Sequence, residues 1–150
     1  MLEWLVQTDG TLVPLILRLA LAVVIFPHGA QKLLGWFGGY GFKGTMGYFT
    51  GSGIPAPLAL LAIAAEFFGS LGVAVGLLTR VAAFGIGCVM AVAIFKVHVP
   101  NGFFMNWSGN QKGEGYEFHL LAIGLALALI IGGAGLWSLD NCLVRSVLSR

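Results

Sequence analysis

Charge is the scarcest thing in this chain. Its 150 residues include eight basic and six acidic side chains, 9% of the total, where a soluble domain typically carries about a quarter. Most of the surface therefore faces something other than water, and lipid is the candidate. The net charge of +2 is too small to signal a nucleic-acid partner. Cysteine is nearly absent too. Cys88 falls inside an apolar run and Cys142 in the C-terminal tail. At such different depths they form neither a disulfide framework nor a CxxC motif, and the redox compartment stays open. The chain also lacks a Gly-rich dinucleotide fingerprint, a cysteine cluster for iron–sulfur, a CxxCH, and any HxxxH or ExxH row. No nucleotide, haem or metal motif is present.

What remains is apolar. Mean hydropathy is +0.92 and 58% of residues are hydrophobic. About 20 apolar residues at 1.5 Å rise cross a hydrocarbon core of about 30 Å, and four runs qualify: 12–34, 56–78, 81–99 and 116–136. The pattern predicts an all-α membrane protein, a four-transmembrane-helix bundle forming one domain over 1–150. The first run does not read as a cleaved signal peptide. Glu3 and Asp9 precede it without any Lys or Arg, and no small-x-small site follows.

An even number of spans places both termini on one side, together with the connection Leu77–Arg80. The longer connections, Gly35–Pro55 and Pro100–Gly115, then lie opposite. Tryptophan favours the interface, and Trp4 and Trp137 fall at the first side, Trp36 and Trp107 at the second. Arg80, Arg145 and Arg150 against Lys43 and Lys112 make the terminal side cytoplasmic, with the prokaryotic plasma membrane as the expected location. In the first connection Phe42, Met46 and Phe49 recur at helical spacing. They predict a short interfacial helix there, the alternative being a flexible glycine-rich loop. The rows Ala65/Gly69, Gly72/Gly76 and Gly124/Ala128/Gly132 are small-xxx-small patterns that let helices approach closely in lipid.

Against this background a few polar residues stand out, because an ionised group at mid-membrane costs about 2.5–3.5 kcal/mol on insertion scales unless it faces protein. The first apolar run ends FPHGAQKLLGW. At about 100° per residue, Arg18, His28 and Lys32 fall within an arc of about 80°, although Arg18 can also snorkel to the terminal side. Glu66 lies near mid-span in LLAIAAEFFGSLG. By depth, Lys96 or His28 is its expected partner. Lys96 and His98 end the third span, and Glu114, Glu117 and His119 open the fourth. These groups outline a polar pocket opening on the side opposite the termini, one wall supplied by FPHGAQK and its helix kinked by Pro27. Trp107, Phe103 and Phe104 would serve as a lid. The alternative is structural: the charges neutralise one another or meet interfacial water.

The order of these features resembles the DoxX family: an Arg early in the first span, H-G-x-x-K (His28, Gly29, Lys32) at its end, the second-span glutamate, GLLTRVAA (Gly76–Ala83), and NGFFMNWSGNQKGEGYEFHLL (Asn101–Leu121). The resemblance runs from about Leu15 to about Gly135. It implies an association with membrane-bound oxidoreductase systems, among them the small subunit of a thiosulfate:quinone oxidoreductase and a complex with superoxide-detoxifying and sulfurtransferase partners. The wider superfamily includes membrane cargo receptors and a receptor-assembly chaperone, so the fold alone fixes no activity. His28, Lys32, Glu66 and the Asn106–Trp107 stretch match family-pattern positions.

Two functions lead. In the first, the protein is a membrane subunit that binds a quinone head group in the pocket, with a partner supplying electrons. A histidine and a carboxyl would donate protons, and Lys or Arg would stabilise negative charge. In the second, it is an assembly or lipid-binding protein without catalysis, working with a protein partner or a second copy of itself. Proton or solute transport, and haem held between His28, His98 and His119, rank behind these.

Overall fold

The computed structural model describes residues 2–8 and 10–147. Asp9 and Arg150, which entered the charge arguments, lie outside them, and the Glu3 side chain is likewise not described. All regular structure among the described residues is helical, with no strand among them. The helices are α1 (Leu2–Val6), α2 (Val13–Leu33), α3 (Gly41–Gly51), α4 (Ala56–Val75), α5 (Thr79–Ala93), α6 (Glu117–Gly132) and α7 (Leu139–Val147). Three of them are long and apolar enough to cross a membrane: α2, α4 and α5 with its continuation to Asn101. The fourth apolar helix, α6, is shorter at 16 residues.

Local chemistry sets the boundaries. Pro14 sits in the first turn of α2 and Pro57 in that of α4, where a missing N–H costs nothing. The α2 helix runs through Pro27 without a break. The α4 helix stops at Gly76, whose φ of +69° suits glycine, and Leu77 N–H closes the end on the Gly72 carbonyl at 2.8 Å. Beyond Ala93 the α5 helix widens into a π turn, Ile94–His98, and then tightens into a 3-10 turn, Val99–Asn101.

The four long helices form a closed ring, with α2 and α5 each packed against α4 and α6. Leu21, Ile25, Val73, Ile86, Met90 and Leu129 fill its centre. The small residues act unevenly. A Cβ on Gly85 would meet the Ala65 Cβ at 3.2 Å, so α4 and α5 do approach closely there. Gly124 has open space around it, and the row on α6 is not a tight seam at that point.

Two ends of the bundle can be distinguished. At one, the start of α2, the α4–α5 turn, the end of α6 and the start of α7 come together. At the other, the end of α2, α3, the π turn and the start of α6 are found. The first connection contains the α3 helix, whose inward residue is Thr45, while Phe42 is exposed.

Candidate functional site

The site begins at Gly29. A Cβ there would lie 2.6 Å from the Phe67 nitrogen and 2.7 Å from the Glu66 carbonyl carbon, so only glycine permits α2 and α4 to touch backbone to backbone. One turn further on, the Lys32 ammonium reaches α4 and stands 2.5 Å from Glu66 Oε2. The Glu66 carboxylate is otherwise sealed, at 3% exposure, while the Lys32 side chain keeps 25%. The contact is an ion pair in which Oε2 has no aligned hydrogen bond among the described residues. Lys32, and not Lys96 or His28, is therefore the ion partner of Glu66.

The chain then turns back against the end of α2. Gly35 and Gly38 take positive φ values, as does Phe37, and Gly39 lies so close to the Gln31 backbone that no side chain fits. Gln31 Nε2 donates to the Phe37 carbonyl at 3.2 Å and holds the turn. Beneath the turn lies a cleft of about 250 Å³, lined by Gln31, Lys32, Thr45, Tyr40, Tyr48 and Phe49 with the glycines of the turn. One wall comes from the end of α2. The opposite wall comes from α3 and its approach, which the sequence did not assign to the site.

The three histidines gather nearby on three elements. His98, on the π turn, packs against His119 of α6 with ring centroids 4.0 Å apart and the rings tilted by 41°. His98 Nδ1 is 2.8 Å from the Glu114 carbonyl, which fixes that nitrogen as the donor. His119 is 7% exposed and its Nδ1 has no partner among the described residues. His28, exposed on α2, faces Phe118, 6.2 Å between centroids. No group of three His, Cys, Asp or Glu side chains able to hold a metal occurs among the described residues.

A family model described as DoxX matches residues 13–99, which includes Gly29, Lys32, Glu66 and His98. The chain belongs to the DoxX family. An uncharacterized protein of Haemophilus influenzae is 34% identical over 132 residues, 83% of this chain and 86% of its own length. A Bacillus subtilis protein named "Putative oxidoreductase CatD" is 30% identical over 117 residues, 77% of this chain and 76% of its own. No solved structure matches. Family and apolar helices together make this an integral membrane protein.

Other polar residues singled out in this DoxX chain do different work. Arg18 is fully buried at the terminal end, far along α2 from Lys32. Its Nη1 donates to Ala74 O at 3.1 Å and its Nη2 to Trp137 O at 3.0 Å, ending α4 and fixing the segment after α6. It is a brace between helix ends and does not line the cleft. Glu117 Oε1 accepts from Met105 N at 2.7 Å, and Glu114 Oε2 from Asn106 N at 2.7 Å. Asn106 in turn exchanges two hydrogen bonds with Gln111. These carboxylates shape the connection between α5 and α6. Trp107 is 88% exposed on that connection, so it is no lid over the cleft, and Lys96 points outward as well.

A second buried polar cluster escaped the sequence reading. Asp140 of α7 accepts from Leu78 N at 2.7 Å and Thr79 N at 3.0 Å, capping α5 from a distant segment. Arg80 donates to Ile130 O and Gln7 O, with Trp4 4.4 Å from its guanidinium. The sequence presents the connection Leu77–Arg80 only as an interfacial turn whose Arg80 counts towards orientation. Nothing local in the sequence marks Asp140 as its companion.

Proposed function

We propose that this DoxX protein is the membrane subunit of an oxidoreductase system and receives a quinone head group in the cleft beside Lys32 and Glu66. The observation that carries the reading is the nearly sealed Glu66 carboxylate, paired with a cation that itself borders a cleft of about 250 Å³. A purely structural pair has no need of such an opening.

The residues present suit the group. Lys32, Gln31 and the hydroxyls of Tyr40, Tyr48 and Thr45 give hydrogen-bond donors, while Phe49 and the tyrosine rings give flat apolar walls. A bound quinone would supply two-electron, two-proton carrier chemistry. Lys32 would orient one carbonyl oxygen and favour negative charge on it. Glu66, held next to that ammonium and away from water, would keep or release a proton within the site. The aromatic side chains would exclude water. Electrons come from a partner subunit in this reading, since the chain has no carrier motif of its own. The name of the Bacillus subtilis relative leans the same way.

The wider arrangement follows the same reading. All four apolar helices cross the plasma membrane of a prokaryotic cell, α6 doing so with its flanking residues. The α3 helix lies in the interface over the cleft mouth, and both termini are cytoplasmic.

The test is to purify the protein gently from its native membrane and analyse a solvent extract by mass spectrometry. Near-stoichiometric quinone, lost in Lys32→Met, supports the proposal. A clean extract with a co-purifying protein, retained in Lys32→Met and Glu66→Gln, replaces it with the assembly role.

A further inference from the structure

The turn beside the cleft fixes the direction of one side-chain amide. Phe37 has a left-handed backbone, φ +54° and ψ +32°, which a residue with a large side chain rarely adopts. Gln31 of α2 donates from Nε2 to the Phe37 carbonyl at 3.2 Å. Gly39 packs so closely on the Gln31 backbone that a side chain there has no room. Gln31 is thus held at its main chain and at its amide. A carbonyl accepts and never donates, so the amide nitrogen faces Phe37 and the oxygen is left for another partner. That oxygen has none among the described residues.

The rest of the lining is different in kind. Lys32 only donates, while the hydroxyls of Tyr40, Tyr48 and Thr45 can do either. Gln31 Oε1 is therefore the one side-chain atom of the lining that accepts and cannot donate. Thr45 is 5% exposed, and its hydroxyl is unbonded among the described residues. Thr50 of the same helix, by contrast, returns its hydroxyl to the Met46 carbonyl at 2.9 Å. The cleft thus offers a free fixed acceptor and a free hydroxyl beside the Lys32 ammonium.

We propose that the cleft selects the reduced, dihydroxy form of a quinone over the oxidised form, and that Gln31 sets the preference. This rests on the reading of the cleft as a quinone site. A quinone oxygen only accepts, whereas a quinol oxygen also donates. Lys32 and Thr45 can donate to an oxygen of either form. Gln31 Oε1 takes a hydrogen bond from the quinol O–H alone, and against the oxidised ring it meets a lone pair. Sites built around a ligand hydroxyl reject the analogue without it. Gln31 is half-buried, so water can replace part of the bond, and the preference is about tenfold. Holding the reduced form tenfold tighter raises the potential of the bound couple by about 30 mV. Gln31 thereby favours delivery of two electrons and two protons to the bound ring.

The test reads affinity and needs no turnover. The full chain in quinone-free lipid nanodiscs is titrated anaerobically by calorimetry with a one-isoprenyl benzoquinone, and with the same compound reduced beforehand to its quinol. The quinol is expected to bind about tenfold tighter. Gln31→Met should bring the quinol down to the affinity of the quinone and leave the quinone within about twofold. Thr45→Val should weaken both forms alike and keep the ratio. Equal wild-type affinities, or a ratio that survives Gln31→Met, would overturn the preference and leave the quinone reading in place. An equal loss of both forms in Gln31→Met would do the same, because the residue would then only hold the turn. Binding of neither form removes the quinone reading and the preference with it. Should Gln31→Met fail to fold, the dimethyl ether of the quinol decides on the wild-type protein. It keeps the oxygens without an O–H and should bind no tighter than the quinone, and an ether that matches the quinol overturns the proposal.

Discussion

Lys32 reaches Glu66 because Gly29, one turn earlier, has no side chain. The α2 helix presses its backbone against Phe67 and Glu66 at Gly29, and the Lys32 ammonium lands 2.5 Å from the Glu66 carboxylate. The motif H-G-x-x-K thus reads as a contact point followed by a reach.

Replacing Gly29 with Ala should therefore do more than trim stability. A Cβ at 2.6 Å from backbone atoms cannot be absorbed by a side-chain rotation, so the helices must separate. A loss of about 1–3 kcal/mol is expected, as for overpacking in a tight core. A lower melting temperature in detergent is the expected readout. Unaltered melting would show that the approach is looser than the geometry states.

The two halves of the ion pair should respond differently to removal. Lys32→Met strands a carboxylate at 3% exposure, which should either take up a proton or cost about 3–5 kcal/mol. Glu66→Leu leaves a cation that already reaches solvent at 25% exposure, and should cost less. The double variant should recover much of the single losses. Thermal unfolding of the three proteins checks the order, and equal losses in both singles would contradict it.

Asp140→Ala should remove both acceptors at the start of α5. The expected cost is about 1–2 kcal/mol for the lost cap. Asp140→Asn should retain part of it, because one amide oxygen still accepts. Hydrogen exchange at Leu78 and Thr79 reports the effect directly, and unchanged protection in the Ala variant would rule out the capping role.

Glu114→Ala and Glu117→Ala should release the connection between α5 and α6 without disturbing the ring of helices. Each loses a hydrogen bond to a charged acceptor, about 1.5–3 kcal/mol locally. Trypsin cleavage after Lys112 should accelerate while the melting temperature of the bundle stays nearly constant. Cleavage at the wild-type rate would mean that the loop is held by something else.

The sequence made the apolar helices legible because a lipid-facing span has to announce itself in composition. It also marked Glu66 and Lys32, since a charge in an apolar run demands a reason. Choosing between Lys32 and Lys96 as the partner was beyond it. That choice depends on the crossing of α2 over α4 at Gly29 and on the π turn that carries Lys96 outward, and neither follows from residue depth. Arg18 shows the same limit. Its helical phase matches that of His28 and Lys32, but phase ignores the length of the helix, and the guanidinium serves the opposite end. The α3 wall was hidden differently. The spacing of Phe42, Met46 and Phe49 indicated the helix, while its inward residue is Thr45, placed there by the glycine turn before it.

The cap on α5 also constrains how the molecule is made. Asp140 follows Leu78 by 62 residues, so the α4–α5 turn leaves the ribosome long before its acceptor exists. Until α6 has been made and α7 returns to the bundle, the first amides of α5 must rely on water or on other partners. The half-built protein is thus an open form with its α4–α5 corner unlocked, and docking of α7 closes it. A chain halted before residue 140 would contain every apolar helix and still lack its latch.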